Sequence, residues 1–172
     1  MIAIWCDGAA SKNGQKGAIG GYGWVARNNN KFYCSGGRSI GATNQQMELM
    51  AAIDALKWCD ENSDDKYIVI STDSAYLYNC WAQGWWKNWE CNGWINSTKK
   101  PVANKELWEQ LIPYFKRAMV MFEKVKGHAD NEGNQYADKL AVAARTMENI
   151  QFQIYTTMLL EELNDRLDHS CL

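Results

Sequence analysis

The chain has 172 residues, 47% of them apolar and 22% charged, and a formal net charge of −2. That length suits one domain with a buried core, and the composition excludes a disordered or collagen-like chain. No apolar run is long enough to cross a bilayer and no basic-then-apolar leader opens the sequence, so a cytoplasmic protein with no membrane partner is expected.

Residues 1–7 read as a strand, in which Met1-Ile2-Ala3-Ile4-Trp5-Cys6 is apolar and Asp7-Gly8 follows. An acid at a strand end beside a glycine presents its carboxylate next to open backbone. The glycines between 8 and 23 mark a turn and then a hairpin, with strands over 19–27 and 31–38 and Arg27-Asn28-Asn29-Asn30 as the connection. Thr43 and Gln46 have capping-box spacing and open a helix that runs to about Asp60. Its apolar stripe is Leu49, Ile53 and Leu56. Glu48 lies on the neighbouring face with Ala52, Ala55 and Cys59, small residues that allow close approach to a sheet.

A second β-rich run over 67–72 ends on Asp73, and helix follows over 74–83. Residues 84–101 are rich in tryptophan and lysine and poor in aliphatic side chains. Helix resumes near Asn104, and Pro113 is expected to kink or end it unless packing intervenes. Residues 119–125 alternate as a strand, a polar loop over 126–133 contains His128, and a helix from about Asn134 carries Asp138. Beyond a domain at 1–145, residues 146–172 form an extension in which Phe152, Tyr155, Leu159, Leu163 and Leu167 make a helical stripe. That helix either packs on its own domain, makes a dimer contact or docks a partner; a monomer with tail-mediated association as an option is expected.

The order βββαβαβα implies an α/β fold: a five-stranded mixed sheet with helices on both faces, Asp7 and Asp73 ending adjacent strands. Asp7, Glu48, Asp73 and Asp138 are then placed to converge. Like charges that close repel unless cations neutralise them, and an all-carboxylate set suits a hard divalent ion. The six cysteines have neither CxxC nor zinc-finger spacing and read as reduced thiols. Residues 1–145 carry a net charge of +2 and the remainder −4. A mildly basic body around a neutralised acidic pocket suits a polyanionic substrate.

Taken in order, several motifs resemble ribonuclease H of type 1. They are Asp7-Gly8, Gly20-Gly21-Tyr22-Gly23, Thr43-Asn44-Gln45-Gln46-Met47-Glu48-Leu49, Ser71-Thr72-Asp73-Ser74, Lys99-Lys100-Pro101-Val102, Val125-Lys126-Gly127-His128, and Asn134 to Asp138 followed by Leu140-Ala141. The resemblance implies endonucleolytic hydrolysis of the RNA strand of RNA/DNA hybrids, with two Mg²⁺ ions (Mn²⁺ as a substitute) and 5′-phosphate and 3′-hydroxyl products. It implies that Asp7 bridges both ions, that Glu48 and Asp138 hold one of them, and that Asp73 completes the set. His128 is implied to handle protons near the nucleophile or the leaving product. Asn13, Asn44 and Gln45 match positions that touch the minor groove, where 2′-hydroxyls distinguish RNA. Thr43 and Asn104 match positions that grip a DNA phosphate. The segment holding Trp85, Lys87, Lys99 and Lys100 resembles the family's basic protrusion along the DNA strand.

The sequence departs from that pattern in places. Glu90, Cys91 and Asn92 stand where several members carry cations, which predicts weaker hybrid affinity and a shallower salt dependence. Ala75 and Gly41 replace larger side chains near the RNA and the phosphate pocket. A non-catalytic hybrid-binding module of the same fold is the alternative, and a DNA-cutting nuclease or strand transferase a third; the intact acids and the groove-reading positions argue against both.

Overall fold

The first strand, β1 (Ile2–Ala10), alternates so that Ile2, Ile4 and Cys6 enter the main core while Ala3, Trp5 and Asp7 face the other side of the sheet. The computed structural model describes residues 1–126 and 132–146, and the backbone of 152–154. β1 is longer than expected. Its parallel pairing with β4 (Ile68–Thr72) ends at Trp5 opposite Ser71, but its antiparallel pairing with β2 (Ile19–Asn28) continues to Ala10 opposite Gly20. Asp7 therefore lies inside a strand rather than at its end, because β2 offers a partner where β4 has stopped.

A 3-10 turn over Ser11–Gly14 leads into β2, and the hairpin returns as β3 (Lys31–Ile40) through Asn29, whose φ of 56° is a left-handed value that asparagine tolerates. Helix α1 (Asn44–Asn62) starts with the expected box: the Gln46 N–H donates to the Thr43 hydroxyl at 3.2 Å and the Thr43 N–H donates to Gln46 Oε1 at 2.9 Å. Three helices, α2 (Ala75–Ala82), α3 (Trp85–Cys91) and α4 (Lys105–Phe115), connect β4 to β5 (Val120–Lys124). Pro113 does not end α4. Its ring is exposed, and buried Ile112, Tyr114 and Phe115 hold the last turn in place, so packing outweighs the lost N–H. Helix α5 (Glu132–Thr146) follows, and β6 (Phe152–Ile154) is a short sixth strand.

The sheet order is β5-β4-β1-β2-β3-β6, parallel between β5, β4 and β1 and antiparallel elsewhere. The five expected strands form the mixed sheet. α1 and the α2–α4 group bury one face, through Leu49, Ile53, Leu56, Trp108 and Phe115 among others, and α5 packs on the opposite face over Val25 and Cys34. Within the expected helical extension, Phe152 belongs to a strand, because residues 152–154 find β3 as a backbone partner. Tyr155, Leu159, Leu163 and Leu167 lie outside the described residues, as does His128. Cys6, Cys34, Cys59, Cys80 and Cys91 are free thiols. No helix among the described residues is long and apolar enough to cross a membrane.

Candidate active site

Two close approaches set the site. A Cβ on Gly8 would fall 2.3 Å from the backbone nitrogen of Glu48, so only glycine lets α1 lie this near β1. Gly23 is the strand partner of Asp7, and a Cβ there would fall 2.4 Å from the Leu140 Cβ and 2.8 Å from the Ala137 carbonyl oxygen. The glycine holds α5 against the sheet at the level of Asp7, with Asp138 next to Ala137. Asp73 follows the last residue of β4, two residues beyond Ser71, where the β1–β4 pairing ends.

The electrostatics report the same gathering. Burial pushes the Asp7 carboxyl up to about 7, and the negative charges of Asp73, Asp138 and Glu48 add to it, against a 2.6 Å hydrogen bond donated by the Gly8 N–H. Burial also raises Glu48, with Asp73 adding, while a hydrogen bond donated by the Ser74 hydroxyl opposes the rise. All four acids are half-buried. Each of the other three thus acts on Asp7.

Among the described residues, no three acid, histidine or cysteine side chains are already drawn together to ligate one ion. Asp7 and Glu48 take local donors, the Gly8 amide and the Ser74 hydroxyl. The donor set is entirely carboxylate oxygen, which fits Mg²⁺ or Mn²⁺ and suits no soft metal. Each of those bonds engages one carboxylate oxygen, Oδ1 of Asp7 and Oε2 of Glu48.

The three groove-reading candidates stand together with Thr43, one of the two phosphate-gripping ones. The Asn44 N–H donates to Asn13 Oδ1 at 2.9 Å, and the Ala10 N–H donates to Asn44 Oδ1 at 2.6 Å. These bonds tie the 3-10 turn to the start of α1, where Thr43 caps the helix and Gln45 is exposed in the first turn. Asn13 is exposed and has a φ of 35°, a left-handed value that asparagine tolerates. Asn104 precedes α4 at a φ of 59°, with no side-chain capping bond, leaving its amide uncommitted to the helix.

The tryptophan-rich segment forms α3 and the loop after it. Trp86 and Trp89 are buried in the main core, against Phe115 and Trp108, and Trp94 packs on Trp89 at 6.1 Å. Trp85 is half-buried and lines an open groove of about 670 Å³ with Asn88, Asn92 and Asn96. Lys87, Lys99 and Lys100 are exposed. The Lys87 ammonium lies 5.5 Å from the Trp86 ring centroid, and Lys99 sits at a φ of 60° in a turn organised by the Asn96 side chain. Lys116 pairs with Glu90 at 2.9 Å, so the acid on this segment is neutralised from α4.

Sequence reasoning left two features without a role. Ser74 caps α2, accepting from the Leu77 N–H at 3.2 Å, and also donates to Glu48. Its signal was its place directly after Asp73. The asparagines of the groove had no such signal, since amides in a loop are ordinary turn residues.

The RNase H family model matches residues 1–146. A curated relative named Ribonuclease H, from Clostridium botulinum strain Hall, is 42% identical over 154 residues, which is 87% of this chain and 98% of the relative. Another of that name, from Syntrophomonas wolfei, is 42% identical over 140 residues, covering 81% of this chain and 92% of the relative. Among solved structures, LC9-RNase H1, a type 1 RNase H with the type 2 active-site motif, superposes with a TM-score of 0.79 at 24% identity, over 99% of this chain and 83% of that one. The foamy viral protease-reverse transcriptase in complex with RNA/DNA hybrid gives 0.71 at 23% identity, over 84% of this chain and 20% of that one.

Proposed function

The chain belongs to the ribonuclease H family and is a nuclease, and from that premise we propose that it hydrolyses the RNA strand of RNA/DNA hybrids with two divalent ions, leaving 5′-phosphate and 3′-hydroxyl ends. The observation that carries this reading is geometric: the close approaches at Gly8 and Gly23 bring α1 and α5 to the level of Asp7, and the charges of Asp73, Asp138 and Glu48 all reach its carboxyl. Bound cations would offset that repulsion. The foamy viral structure of the same fold holds an RNA/DNA hybrid, which supports the substrate class.

The ions, Mg²⁺ or Mn²⁺, would supply an activated water and charge stabilisation at the departing 3′ oxygen. Asp7, central in the cluster, would share both. Glu48 and Asp138 would hold one, and Asp73 would complete the set. Ser74 fixes the Glu48 carboxylate until it is needed. His128 would move the proton near the leaving oxygen. Asn13, Asn44 and Gln45 would meet the minor groove, where the 2′-hydroxyls of the RNA strand lie. Thr43, Asn104, Trp85, Lys87, Lys99 and Lys100 would hold the DNA strand.

The test is cleavage of labelled RNA/DNA hybrid, double-stranded DNA and double-stranded RNA, each with Mg²⁺ and with chelator. Cutting of the hybrid alone, abolished by chelator, is expected. Cutting that survives chelator refutes the metal mechanism. Tight hybrid binding without cutting makes the chain a binding module instead.

A further inference from the structure

α5 crosses its face of the sheet on a diagonal. A Cβ on Gly133 would fall 2.1 Å from the Trp5 ring, one on Gly23 2.4 Å from the Leu140 Cβ, and one on Gly21 2.1 Å from the Ala141 carbonyl oxygen and 3.0 Å from the Arg145 Cγ. Gly21 pairs with Ala9, two residues beyond Asp7, on the stretch of β1 that outruns β4. The last turn of α5 is therefore seated past the level of the acid cluster, at the catalytic end of the sheet. Asp138 and Arg145 are seven residues apart on this helix. Seven residues are close to two turns, so the two share a helix face about 10 Å apart along the axis. Val142, between them on that face, is exposed, and no acid follows Asp138 on α5.

Arg145 is half-buried, with its stem against Gly21, and it forms no ion pair or hydrogen bond among the described residues. A guanidinium on a packed stem is pre-organised for a phosphate, which it grips with two parallel N–H donors. Arg38, the β3 partner of Gly21, places a second guanidinium on the same face of the sheet. The residues read above as holding the DNA strand lie elsewhere. Thr43, Asn104, Trp85, Lys87, Lys99 and Lys100 belong to α1, α3, α4 and the loops beside them, which cover the opposite face. A hybrid laid with its DNA strand there and its scissile phosphate at Asp7 carries the RNA strand on towards α5. We propose that Arg145 is a further substrate-binding residue that grips a phosphate of the RNA strand about two or three nucleotides from the scissile bond. The inference rests on the hybrid reading above. The spacing comes from setting about 10 Å of helix against a rise of about 3.4 Å per nucleotide.

The test uses the full chain and RNA/DNA hybrids whose cut position has been mapped. Binding is measured with Mg²⁺ in an Asp7→Asn background, where cutting is slow, across a range of salt. Arg145→Ala should weaken binding about fivefold and lower the slope of log affinity against log salt by about one. Arg145→Lys keeps the charge and should keep the slope. Replacing single phosphates of the RNA strand by uncharged methylphosphonates maps the contact. One position, two or three nucleotides from the cut, should weaken the chain with Arg145 about fivefold and the Arg145→Ala chain less than about twofold. The melting temperatures of these two chains should agree within about 2 °C. Three results overturn the inference in a chain that still cuts hybrid: an unchanged salt slope, a sensitive phosphate on the DNA strand instead, or a melting temperature several degrees lower with unchanged affinity. The last would make Arg145 the ion-pair partner of an acid in its own chain. Failure of the wild-type chain to bind or cut any hybrid would overturn the hybrid reading, and this inference with it.

Discussion

Asp7 carries its own stability signature. Its ordinary value is 3.8 and the fold raises it to about 7, so without metal the native state favours the neutral acid. Stability from this group is complete below about pH 4 and is lost as pH climbs through 7. Asp7→Asn keeps the shape and removes the charge. In chelator, the variant is expected to exceed the wild type by on the order of 2 kcal/mol at pH 8, after allowance for partial solvent contact, with the gap closing by pH 4. Thermal unfolding across that range checks it, and a constant gap would mean that packing, not charge, separates the two. Added Mg²⁺ should reverse the order at pH 8, because the ion binds the wild-type carboxylates and stabilises the fold by mass action. Cleavage by Asp7→Asn should fall on the order of 10³-fold. The acids themselves were readable from their places after apolar runs and on small-residue faces. The Ser74–Glu48 bond was not, because it joins a helix cap to a side chain 26 residues away.

Helices are placed here by what the sheet omits. Gly8 and Gly23 leave α1 and α5 room to approach, and the carboxylates follow from that approach. Gly23→Ala must push α5 off β2, since its new carbon meets the Leu140 Cβ and the Ala137 carbonyl oxygen together. A loss on the order of 3 kcal/mol in urea unfolding is expected, with half-maximal cleavage moved to higher Mg²⁺ as Asp138 withdraws. A stable variant with an unchanged Mg²⁺ requirement would show that the helix finds another seat. Two local signals are overridden for a shared reason. Pro113 is a local helix breaker and Asp7-Gly8 a local strand end, yet neighbours override both: buried Ile112, Tyr114 and Phe115 in one case, the long partner β2 in the other.

Across the whole molecule, charge is divided. The body to residue 145 is net positive by two although it contains the four acids, and the tail is net negative by four. Affinity for a nucleic acid should therefore come from a few phosphate contacts and respond to salt in proportion to them. Lys99→Ala with Lys100→Ala is expected to lower the slope of log affinity against log salt by about two and to weaken hybrids of different sequence alike. An unchanged slope would remove the loop after α3 from the DNA path. The sequence by itself determined which residue types were available: the strands and helices from their periods, the four carboxylates and the family from motifs in order. These are local properties, recorded in neighbouring residues. The tertiary structure alone decided that β1 outruns β4, that α5 seats Asp138 beside Asp7, that Ser74 holds Glu48, and that residues 152–154 pair with β3. Each of those depends on which distant segments touch, and a contact between residues far apart in the chain leaves no period in either one.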